Sequence, residues 1–119
     1  MEQLLYLTDL FDFYGALLTE KQQECLRMHL FEDFALSEIG EELGISRQAV
    51  HDNIHRAQKS MEEYERKLGL VQRFRRERVE LSGIYEAVDA LRQPGNEAAV
   101  NGVLERLLPF LGREREVED

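Results

Sequence analysis

The feature that most constrains this chain is a three-residue joint, Gly44, Ile45 and Ser46, set between two amphipathic helical stretches. Upstream, Leu36, Ile39 and Leu43 share one face at spacings of three and four; downstream, Val50, Ile54, Ala57 and Met61 share another. Gly44 suits the left-handed residue that ends the first helix, and Ser46 can accept from the free N–H groups that open the second at Arg47. Ile45, just before that cap, is placed to meet Val50 as a hydrophobic staple. Helices joined this tightly cross at close quarters, and the small residue Gly40 stands where they cross. The segment 36–57 therefore has the spacing of a helix-turn-helix.

The rest of the chain also reads as helix. Leu4, Leu7, Leu10, Phe11, Tyr14, Leu17 and Leu18 form one stripe across 4–18, loosening near Gly15. Thr19 and Gln22 fit a capping box, so a second helix is expected from about 20 to 32. Gly69 is the next break. Beyond it, Leu70, Phe74, Leu81, Ile84, Val88 and Leu91 lie near a seven-residue repeat that Glu77 and Arg78 interrupt, the mark of a helical hairpin or a dimer seam. Gln93, Pro94, Gly95 and Asn96 make the clearest turn, ahead of Val100, Val103, Leu104, Leu107, Leu108 and Leu111 on a last helix. The charged tail from Gly112 is expected to fray. No segment alternates with a period of two, so the expected class is all-α. The predicted organisation is a helix-turn-helix domain over 1–69 and a helical extension over 70–119 that serves dimerisation.

At 119 residues the chain has room for one compact domain and an extension. Its surface is large for its interior, which makes burial shared in a homodimer the expected state. A net charge of −9 argues against bulk attraction to phosphate or to anionic membrane. The charge is uneven, however: 1–42 carries ten acidic and two basic groups, 43–78 nine basic and five acidic, and 79–119 nine acidic and four basic. Binding to nucleic acid would have to be local to the middle third. The opening MEQLLYLTDLF lacks the positive charge of a secretory leader, and no apolar run approaches the roughly 20 residues that span a bilayer. A soluble, cytoplasmic protein is predicted. The lone Cys25 has no partner for an intramolecular disulfide and is expected to be a partly buried small residue in a reducing compartment.

With Val50 and Ile54 turned inward, the far side of the second motif helix carries Arg47, Gln48, His51, Asp52 and His55, with Arg56 and Lys59 a turn further along. Arg, Gln, His and Lys donate hydrogen bonds to base edges and phosphates, so the candidate nucleic-acid contacts are Arg47, Gln48, His51, His55, Arg56 and Lys59. His51 and His55 are also spaced to share a metal, but Asp52 should point about 100° away on an ideal helix, and no metal or other cofactor is expected. His29, among Met28, Leu30 and Phe31, reads as a packing residue. No phosphate loop or nucleophile signature is present, so an enzyme is not expected. The basic run 73–78 suits a solvated helix face, a nucleic-acid backbone or an acidic helix of another subunit.

Residues 19–68, opening TEKQQECLRMHLF and continuing through SEIGEELGISRQAVHDNIHRA, resemble region 4 of bacterial sigma factors, a helix-turn-helix. Ala35 stands where that pattern usually has a Ser or Thr cap, and Asp52 puts negative charge on the presumed reading face. The whole chain is similar to the YlxM family of small bacterial proteins, through FDFYGALLTEKQ, the motif segment and the helical carboxy-terminal half. That resemblance implies an all-helical protein encoded beside components of the signal recognition particle pathway and regulating or assisting it. It leaves open two modes: DNA binding through the motif helix, or contact with the particle's RNA or a pathway GTPase through the same scaffold.

Overall fold

The computed structural model describes residues 2–112; of the tail predicted to fray from Gly112, Gly112 itself is ordered as the left-handed cap of the last helix, and the rest lies outside the described residues. All regular structure among the described residues is helical. The elements are α1 (Glu2–Tyr14), a short 3-10 turn (Gly15–Leu17), α2 (Glu20–Phe31), α3 (Leu36–Leu43), α4 (Arg47–Leu68), α5 (Leu70–Asp89) and α6 (Glu97–Leu111). The chain divides into two compact units, one running to Val71 and the other beginning at Gln72.

In the first unit α1, α2 and α3 pack around α4. Each boundary has a local cause. Thr19 Oγ1 accepts from the N–H of Gln22, and the Gln22 side chain accepts from the N–H of Thr19, completing the predicted box. Ser46 Oγ accepts from the N–H of Ala49 at 3.0 Å. Gly44 has φ +70° and returns its N–H to the Gly40 carbonyl. At Ala35 only half a box forms, because alanine has no acceptor: Glu38 Oε1 takes the Ala35 N–H at 2.8 Å and nothing returns the bond.

Two clusters make the core of this unit. Leu7, Leu10, Tyr14, Leu18, Leu26, Ala57, Met61 and Val71 form one, joining α1, α2 and α4. Cys25, Ile39 and Val50 form the other, with Ile45, Leu36 and Leu43 against it, so the predicted staple closes over the motif. Cys25 is buried completely rather than partly, and burial pushes its thiol above the usual range. Gly40 has the crossing role its sequence position suggested, since a Cβ there would stand 2.6 Å from the Ile45 carbonyl oxygen.

The stripe of α1 is shorter than its pattern. Leu17 is exposed because the chain tightens at Gly15 into a turn of three residues, which rotates Leu17 off the α-helical face. Leu4 is exposed at the rim of a groove of about 320 Å³ shared with Gln3, Leu7, His29, Ile54 and Gln58. His29 is half-buried there, as its apolar neighbours suggested.

At the Gly69 break, with φ +62°, the free N–H groups of α5 meet side chains instead of water. Tyr14 Oη donates to Glu65 Oε1 at 2.6 Å and accepts from the Leu70 N–H, while the Val71 N–H donates to the same carboxylate oxygen at 3.0 Å.

The second unit is a helical hairpin. Asn96 closes its turn, accepting from the Gln93 N–H and donating to the Leu91 carbonyl. Arg78 Nη2 donates to the Leu111 carbonyl at 2.6 Å, which ties the end of α6 to the middle of α5. Val100, Leu104 and Leu111 are buried, whereas Phe74, Ile84, Leu91 and Val103 of the predicted stripes remain exposed.

Candidate nucleic-acid interface

The site is built on the first three turns of α4. Val50 and Ala57 are fully buried and Ile54 packs between both clusters, so this edge of the helix is committed to the core. The remaining circumference is presented outward by geometry alone. Arg47, Gln48, His51, His55, Arg56 and Lys59 are all exposed on it, which brings every sequence-derived candidate to one helix surface.

Their arrangement is partly organised in advance. Gln48 Nε2 donates to Asp52 Oδ1 at 3.0 Å, and His51 Nδ1 lies 3.5 Å from the same oxygen. The His51 and His55 rings stack nearly parallel, with centroids 6.2 Å apart. Asp52 thus lies nearer to His51 than their 100° separation on an ideal helix suggests. Its carboxyl is held below the usual range, first by the Gln48 hydrogen bond and then by His51 and Arg56, so it is anionic at neutral pH. Among the described residues no cluster of three His, Cys, Asp or Glu side chains could hold a metal ion.

Asn53 was not foreseen. Its Nδ2 donates to the Ala49 carbonyl at 2.9 Å, anchoring a polar side chain at the border between the core and exposed faces. Nothing in residue spacing distinguishes such a bond from solvent exposure. The first turn of α4 contains no acidic residue, which leaves the positive end of its dipole uncompensated beside Arg47 and Gln48.

This motif agrees with a family pattern that extends well beyond it. The model of a helix-turn-helix family described as "YlxM / p13 like", UPF0122, matches residues 1–97. The chain belongs to this family. A UPF0122 protein of Thermoanaerobacter pseudethanolicus is 38% identical over 118 residues, covering 99% of this chain and 96% of its own length. One from Halalkalibacterium halodurans is 46% identical over 89 residues, covering 75% of this chain and 82% of itself. A third, from Symbiobacterium thermophilum, is 49% identical over 80 residues, covering 67% and 75%. The family match takes in both motif helices and α5 and ends at the first residue of α6. No helix among the described residues is long and apolar enough to cross a membrane.

Proposed function

We propose that this protein is a nucleic-acid-binding regulator that lays the outward face of α4 in a duplex major groove, two copies engaging together. The observation that carries this reading is the row Arg47, Gln48, His51, His55 and Lys59, exposed on a helix whose opposite edge is fixed by a tightly crossed α3. Arg47 and Gln48 at the helix start reach base edges; Arg56 and Lys59 flank them for phosphates. On an acidic chain these few cations give a binding term that is small and salt-dependent, which is why two copies are required. The resemblance to the YlxM family supports a role for this regulator beside the signal recognition particle pathway.

One observation favours a second reading. Asp52 sits in the middle of the same face, anionic, and occupies the Gln48 amide that would otherwise read a base. A scaffold with that feature suits contact with the particle's RNA or with a pathway GTPase, without sequence-specific DNA binding. Fluorescence anisotropy against labelled duplex DNA, signal recognition particle RNA and the two GTPases, over a salt series, separates the readings. The first expects duplex binding that weakens with salt and is lost in the Arg47→Ala/Gln48→Ala variant at unchanged helicity. Binding only to the RNA or a GTPase would overturn it in favour of the second.

A further inference from the structure

Helix α5 carries its charges in an order that its own stability does not explain. Its first half holds Arg73, Arg75, Arg76 and Arg78 against one Glu77; its second half holds Glu80, Glu86 and Asp89 with no basic residue. A helix is stabilised by acidic groups near its start and basic groups near its end, and α5 has neither an acidic residue in its first turn nor a basic one in its last. This arrangement opposes the macrodipole.

The same helix has an exposed face with apolar content. Val79 is 74% exposed, and a Cβ built on Gly83 meets nothing within 4 Å. At 100° per residue, Val79, Gly83 and Ala87 follow one another along this face. Arg75 and Glu86 flank it on one edge and Glu80 on the other, while Arg76 lies on the face itself, between the directions of Gly83 and Ala87. Arg76 and Glu86 make no ion pair among the described residues.

We infer that the exposed face of α5 is the docking surface for α5 of a second copy, running antiparallel. Antiparallel pairing is the orientation in which a helix with a basic first half and an acidic second half is complementary to itself. Like any two-fold pair, it has each copy use the same patch. A crossing centred between Glu80 and Leu81 brings Arg75 of each copy beside Glu86 of the other, with Val79 near the level of Gly83 across the seam. On the other edge the two Glu80 carboxylates approach across the two-fold, and Arg76 of each copy, about 7 Å away along the axis, reaches the Glu80 of the other. A 20-residue helix is about 30 Å long, so this seam lies at the small end of specific interfaces and gives a concentration- and salt-dependent dimer. The inference deepens the two-copy part of the proposed function and is independent of which nucleic acid or protein α4 meets.

The test is sedimentation velocity on the full chain and two charge-swapped variants, Arg75→Glu/Arg76→Glu and Glu80→Arg/Glu86→Arg. Both swaps move α5 toward the charge order its dipole favours, so circular dichroism should show helicity retained. The wild-type chain should dimerise over the micromolar range. Each variant alone should associate roughly 10-fold or more weakly, because like charges then face each other across the seam. An equimolar mixture of the two should restore the dimer, since every facing pair is again opposite in sign. A wild-type dimer that neither variant weakens would overturn the α5 seam while leaving two-copy binding intact. A chain that stays monomeric across the range would overturn both. Duplex binding lost in Arg75→Glu/Arg76→Glu with the dimer intact would assign the basic half to phosphates and overturn the seam.

Discussion

The unit ending at Val71 and the hairpin beginning at Gln72 are built from the same kind of helix, yet they bury their apolar residues to different degrees. In the first, α4 is surrounded by three partners and its inward positions Val50, Ala57 and Met61 are fully buried. In the second, two helices share few buried positions, and Phe74, Val79, Ile84, Leu91, Val103 and Phe110 remain exposed. A helix can bury one stripe against one neighbour, and only a third or fourth helix lets a bundle close its interior. The motif unit is therefore complete as a fold, whereas the hairpin leaves apolar surface available to another molecule.

Substitutions can sharpen that contrast, beginning where the loss should be greatest. Ile39→Ala, in the cluster that holds α3 to α4, should cost about 3 kcal/mol in denaturant unfolding, since it leaves a cavity between crossed helices. Gly40→Ala should cost about 2 kcal/mol, because its Cβ meets backbone, which cannot swing aside as a side chain can. Ser46→Ala should cost about 1 kcal/mol through loss of the cap on α4. Tyr14→Phe should cost about 1 kcal/mol by removing the hydroxyl shared by Glu65 and Leu70.

Tyr14 also predicts a pH effect. Burial, reinforced by its hydrogen bond to Glu65, raises its pKa above 10.0, so the folded chain holds the phenolic proton more tightly than the unfolded one. The resulting stability is present in full below pH 10 and declines as pH rises beyond it; a urea-midpoint series should show this slope in the wild type and lose it in Tyr14→Phe. Val79→Ala on the hairpin should change monomer stability by less than about 0.5 kcal/mol, because an exposed side chain has little burial to lose. A large loss there, or a negligible one at Ile39, would break the comparison between the two units.

The parts of this fold that were legible in the sequence are those governed by neighbours in the chain. Thr19 with Gln22, Gly44, Ser46 and the 93–96 turn each satisfy backbone groups a few residues away, and each appears where spacing put it. The candidate site was legible for the same reason: once Val50 and Ile54 face inward, helical geometry sends Arg47, Gln48, His51 and His55 outward. Long-range features were not legible. The Tyr14–Glu65 bond joins residues 51 positions apart, and periodicity reports which face a residue occupies, never which partner it finds. Leu17 was misassigned to the α1 stripe because one change of helical pitch at Gly15 shifts everything after it. Asp33, at φ +56°, makes its turn without the glycine that would have signalled it.

The bonds around Tyr14 also decide where the molecule can be cut. Gly69 looks like the natural seam, and a fragment ending there would keep the whole helix-turn-helix. It would also remove the Leu70 and Val71 amides that hold the Tyr14 hydroxyl and the Glu65 carboxylate, and Val71 itself, a member of the larger cluster. A fragment intended to keep the motif unit intact should extend past Val71 by at least a turn of α5.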